Sequence, residues 1–200
     1  MEETKRHTAI IGNPVDMWSK LTWDVDVFRD IQTSYPDERQ PLAYAAVNVC
    51  IAAASLQDWV KVFLERKANE AQETWDDDAF YTDVVAAIPE QSACVAIANT
   101  SKHSEFRERR WLNGEVRLTW EEGDEDIPSG SYVLYHVISG SHSEGFAVSR
   151  FDALCRNWWT YLAAHGLTDG QTGIPEWRTN KLNRMFRPVI QSTVASDAVD

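Results

Sequence analysis

The sequence predicts a mainly α protein: a helical bundle with a β-hairpin or three-stranded β-meander inserted before the last core helix. Three observations carry this. Apolar residues recur at three-and-four spacing through most of residues 16–102, the pattern switches to strict alternation at Glu115, and helical spacing returns at Phe151. The 200 residues suffice for one substantial core, so the chain reads as a single domain, 1–200.

Residues 1–12 show no periodicity and are expected to fray. From Asp16 to Tyr35, Trp18, Leu21, Val25, Phe28 and Ile31 or Gln32 form one apolar face of an amphipathic helix, which the segment Pro36 to Pro41 ends. A second helix is expected over Leu42–Lys67, with Val49, Ala52, Leu56, Trp59, Val60 and Phe63 in register. Alanines at 43, 45, 46, 52, 53 and 54 leave room for close neighbours, which makes this the central helix. A third helix, Asp76–Ile88, gathers Asp76, Asp77 and Asp78 at its positive end and stops at Pro89. A fourth spans Glu90–Lys102, with Cys94, Ile97 and Ala98 as its candidate buried positions.

Glu115 to Glu121 alternates polar and apolar, as in a strand with one face on the core. Ser131–Ser139 and Gly145–Arg150 are the other strand candidates, separated by a loop at Gly140 to Ser143. The closing helix, Phe151–Ala164, stacks Leu154, Trp158, Tyr161 and Leu162 and ends at Gly166. From Pro175 to Arg187, Arg178, Lys181, Arg184 and Arg187 recur every third residue among Trp177, Leu182, Met185 and Phe186, a basic amphipathic tail segment. The segments are thus 16–103 (bundle), 114–150 (β insertion), 151–166 (closing helix) and 175–187 (tail).

Composition is that of a globular chain, 44% hydrophobic and 25% charged, with nine Trp for the core. The net charge of −12 disfavours nucleic acid as a partner of the average surface. The longest apolar stretch, Val47–Ala54, is too short to span a bilayer, and no membrane partner is expected. Cys50, Cys94 and Cys155 are odd in number and far apart, so they read as buried thiols in a reducing cytoplasm, with no disulfide framework, metal or cofactor.

Chemistry concentrates at Asn99, Thr100, Ser101, Lys102 and His103. On a helix, Asn99 and His103 share a face, His103 can move protons near neutral pH, Lys102 can stabilise a phosphate, and Asp58 of the central helix can orient the imidazole. The same residues also read as an ordinary polar helix end with a solvated Lys102, and both readings stay open. Lys102, His103, Arg107, Arg109 and Arg110 form a cationic cluster with Phe106 and Trp111 as stacking partners, interrupted by Glu105 and Glu108. Glu121 to Asp126 lacks a calcium loop and reads as a solvated hairpin turn; His136 and His142 lack metal-ligand spacing.

Over residues 16–103 the bundle with Asn99 and His103 on its last helix resembles the HEPN superfamily of all-helical domains. Their motif is Arg, a polar residue, three further residues and His. The resemblance implies metal-independent RNA cleavage, with His103 as acid/base, Lys102 as phosphate clamp, Asn99 and Asp58 as orienting groups and Arg107, Arg109 and Arg110 on RNA. Ala98 stands where the family carries Arg, which implies a degenerate RNA-binding or RNA-cleaving module in bacterial stress or phage defence. The helix-hairpin-helix arrangement around Asn99 to His103 is also similar to bacterial proteins without an assigned function. The alternative expectation is a non-enzymatic acidic module of phage or plasmid origin that occupies a basic host protein surface, in either case as a monomer or homodimer.

Overall fold

Asn13 opens the first helix. In the computed structural model, which describes residues 10–103, 114–126, 130–138 and 141–185, its side chain accepts the Asp16 amide and Pro14 takes the first helical position, where no N–H is needed. Helix α1 therefore runs Pro14–Ser34, two residues ahead of the apolar pattern. The expected fraying falls largely on residues 1–9, outside the described residues. Helix α2, Arg39–Glu70, begins before Leu42 because Pro41 sits in its first turn, where a missing N–H loses no helical bond. The segment Pro36 to Pro41 thus separates two helices but contributes its last three residues to the second.

Asp76 caps helix α3, Asp77–Ala87, by accepting the amides of Asp78 and Ala79. Helix α4 runs Gln91–His103. Strands β1 (Gly114–Glu121), β2 (Ser131–Ile138) and β3 (Ser141–Ser143) form an antiparallel sheet in that order, with Val116 opposite His136 and Trp120 opposite Tyr132. Burial along β1 alternates as the sequence predicts. Gly130 is required beside it, since a Cβ there would lie 2.0 Å from the Trp120 ring.

Two sequence expectations need correction at this point. Gly140 to Ser143 reads as a loop, yet Ser141–Ser143 is β3; Gly145–Arg150 reads as a strand, yet Ala147–Arg150 is the first turn of helix α5, Ala147–Ala164. Only Phe146 keeps an isolated bridge, to Val133. The reason is packing: Ala147, Phe151, Leu154 and Trp158 are all fully buried at three-and-four spacing, so the core-facing stripe of α5 extends one turn back. Gly166, at φ +65°, ends α5 with the Leu167 amide on the Leu162 carbonyl (2.9 Å) and its own on Ala163 (3.1 Å).

One core joins these elements. Leu21 and Phe28 of α1, Leu42, Val49 and Leu56 of α2, Cys94 and Ala98 of α4, Leu134 of β2 and Phe151, Leu154 and Trp158 of α5 belong to it. Across α1 and α5, Trp18 donates to the Cys155 carbonyl (2.9 Å), Phe28 meets Phe151 edge-on and Arg29 pairs with Asp152. The sheet is tied to the helices by Tyr132 donating to the Arg39 carbonyl (2.7 Å), Gln32 donating to Gly130 (2.8 Å) and Arg39 lying over Trp120 and pairing with Glu122. By length and composition α2 could cross a bilayer. Here it is the central helix of the bundle, with α1 and α4 against it.

The chain divides into two compact units, residues 1–170 and 171–200. In the second, helix α6, Glu176–Met185, exposes Arg178, Leu182, Arg184 and Met185, and Phe186 and Arg187 of the expected basic segment lie outside the described residues.

Candidate functional site

The Asn99 to His103 segment is the last turn of α4. Gln91, Cys94 and Ala98 face the core, Asn99 is half-buried, and Lys102 and His103 are exposed. Ala98 has no solvent-accessible surface. The position where the resembled family carries a catalytic Arg therefore points into the bundle and not toward His103. The two hydroxyls are also committed: Thr100 donates to the Ala96 carbonyl (3.0 Å) and Ser101 to that of Ile97 (2.8 Å).

Asp58 lies on the outer side of α2, exposed, and makes no hydrogen bond with Asn99 or His103. Desolvation raises its pKa above the ordinary carboxylate value, and the Lys102 and then the Lys61 ammonium charges offset part of that rise. Because the carboxylate keeps solvent access, that shift carries little energy. The fold thus brings Asp58 toward Lys102, but as charges facing each other at the surface. Arg107, Arg109 and Arg110 lie outside the described residues, and among the described residues no group of His, Cys, Asp and Glu side chains could hold a metal ion.

Denser polar constellations lie elsewhere. Glu90, 7% exposed, accepts from Asn157 (3.1 Å), and Arg150 sits 3.9 Å from its other oxygen. His136 of β2 stands 3.4 Å from the Ser92 hydroxyl, and burial first, then the Arg150 charge, lower its pKa. Pro89, Glu90, Ala93, Leu134, His136 and Arg150 enclose about 20 Å³ between them, room for one water. Next to Glu90, the fully buried Gln91 accepts from Trp158 (2.8 Å) and donates to the Ala53 carbonyl (3.1 Å), which links α2, α4 and α5. On α3, Asp83 accepts from Tyr161 (2.9 Å) and lies 3.5 Å from His165. Burial first, then that carboxylate, push the Tyr161 phenol up. These groups pair among themselves and brace helices.

One concavity is open to solvent and chemically distinct. Glu121, Glu122, Asp124 and Glu144 stand around a hollow of about 460 Å³ whose apolar lining is Val133 and Phe146, the latter 40% exposed. The sequence marks the Glu121 to Asp126 run as a solvated turn, and all six residues are indeed exposed. Nothing in the local pattern signals that Glu144 and Phe146, beyond β2, close the other side. Carboxylates beside an exposed aromatic ring suit a cation on an apolar stem, such as a lysine or arginine side chain.

Compared with protein-family models, curated proteins and solved structures, the chain finds no match.

Proposed function

We propose that this protein is a non-enzymatic, acidic protein-interaction module that occupies a basic surface of a protein partner in the cytoplasm. The observation that carries the reading is the concavity lined by Glu121, Asp124 and Glu144 together with Phe146, beside the Arg39–Glu122 pair, in a chain of net charge −12. Such a surface steers a basic partner in by long-range attraction and rejects acidic ones. Phe146 supplies the desolvated contact that charge alone lacks.

The test is calorimetric titration of the whole chain with an arginine- and lysine-rich peptide at low and high salt. Affinity is expected to fall steeply with salt. Reversing Glu121 and Glu144 to Lys weakens binding about tenfold or more, and Phe146→Ala weakens it without changing the salt slope. Binding indifferent to all three substitutions would remove the reading.

The RNA reading rests on Lys102 and His103, both exposed at the end of α4 with Asp58 nearby. Its measurement is cleavage of a mixed RNA without metal by wild type and His103→Ala. Activity that disappears in the variant would displace the interaction reading in favour of a metal-independent endoribonuclease.

A further inference from the structure

Helix α2 leaves one narrow strip uncovered. Over residues 47–64, Asn48, Asp58 and Val62 are exposed and the others are buried or half-buried. Along its outer side Tyr44 is 61% and Val62 49% exposed, with Val47, Ile51, Trp59 and Phe63 half-buried between and beside them. Trp59 and Phe63 stack at 6.3 Å, and the Arg66 guanidinium lies 5.4 Å from the Phe63 ring centre. Asp58, Val62 and Arg66 follow at four-residue spacing, so they share one face of the helix, and Asp58 and Arg66 are both exposed.

We propose that this face pairs with the same face of a second copy, the two α2 helices crossing antiparallel about a two-fold axis at Val62. The charges select both the partner and the direction. A two-fold at Val62 sets Asp58 of each chain opposite Arg66 of the other, closing two ion pairs around a Val62–Val62 contact flanked by Trp59 and Phe63. A parallel crossing would set Asp58 on Asp58 and Arg66 on Arg66, and like charges across an interface are strongly unfavourable. Lys102 and Lys61 bear on Asp58 from their own chain, and Lys61 is already held by Asp77 at 2.9 Å. Arg66 is the cation on this face with no carboxylate of its own chain within ion-pair distance among the described residues. The inference is independent of the acidic concavity, which lies against the sheet.

A single helix face buries less than a standard interface, and the net charge of each copy opposes association, so the dimer dissociates on the order of micromolar concentration. Sedimentation equilibrium on the full chain tests it with wild type, Asp58→Arg, Arg66→Asp, the double charge swap and Val62→Glu, each first checked for native circular dichroism. Wild type should show a monomer–dimer equilibrium. Each single reversal should raise the dissociation constant about tenfold or more, the double swap should return it to within about threefold of wild type, and Val62→Glu should abolish the dimer. A wild type that stays monomeric near millimolar concentration, or a dimer that ignores both charge reversals, overturns the proposal. So does a monomer that instead binds phosphatidylglycerol vesicles through Val62, since a lipid surface would then be the occupant.

Discussion

Ala98 shows how a single position decides what a resemblance can carry. Its spacing from His103 matches the Arg of the resembled family, but it has no accessible surface and belongs to the apolar core. An Arg there must bury its guanidinium without a partner, so Ala98→Arg should cost ~3–5 kcal/mol and give an unfolded or molten chain in a urea titration, whereas Asn99→Ala and His103→Ala should stay within about 0.5 kcal/mol of wild type. Restoring the family Arg is therefore no route to activity in this chain. His136 supplies a second residue-scale test. Burial and Arg150 hold its pKa below the ordinary 6.5, so the unfolded chain takes the proton first and stability falls as pH drops through that value. Thermal unfolding should weaken between pH about 7 and about 5 in wild type and less so in His136→Gln. Asp24 and Asp58, raised by burial, act with the opposite sign: their contribution is present at low pH and lost as pH rises through the folded value. The difference between wild type and variant isolates the imidazole. The thiols follow the sequence expectation in part. Cys50 and Cys94 are buried, and their mutual hydrogen bond and burial push the Cys94 thiol up, while Cys155 is only half-buried and should react first with a thiol reagent.

At the scale of elements, periodicity located helices α1 to α5 because each has a core-facing stripe, whereas α6 buries none of its residues and was marked by its recurring cations, and the discrepancies fall where local signals conflict. Pro41 reads as a breaker but fits a first turn. Residues 145–150 read as a strand candidate, yet Ala147 continues the buried stripe of Phe151, Leu154 and Trp158. The Asn13–Pro14 pair was a legible start signal for α1, two residues ahead of its apolar pattern. What holds the helices in register is less visible. Gln91 meets Trp158 across 67 residues of sequence, and neither residue type announces the other. Gln91→Leu leaves the Trp158 indole N–H without its acceptor in the core and should lower stability by ~1–3 kcal/mol in chemical denaturation. Gly166→Ala, which forces a Cβ onto φ +65°, should cost ~1 kcal/mol by the same measurement.

For the whole molecule, the charge balance visible in the sequence has consequences for both stability and recognition. A net charge of −12 opposes the compact state through self-repulsion. Moderate salt should therefore raise the thermal midpoint at neutral pH, the reverse of its effect on binding to a basic partner. The sequence by itself determined the mainly α class, the order of the helices, the place of the β insertion and the acidic surface, because these follow from local periodicity, caps and composition. It suggested Asp58 as a partner for the His103 imidazole, whereas in the fold Asp58 makes no hydrogen bond with His103 and the Lys102 charge bears on it instead. Only the tertiary structure decided that Ala98 faces inward, that Glu144 and Phe146 complete a hollow with Glu121, Glu122 and Asp124, and that Asp58, Val62 and Arg66 stay on an uncovered face. Those outcomes depend on which stripe of each helix meets which neighbour, and side-chain neighbours far apart in sequence are chosen by the packing of the whole core.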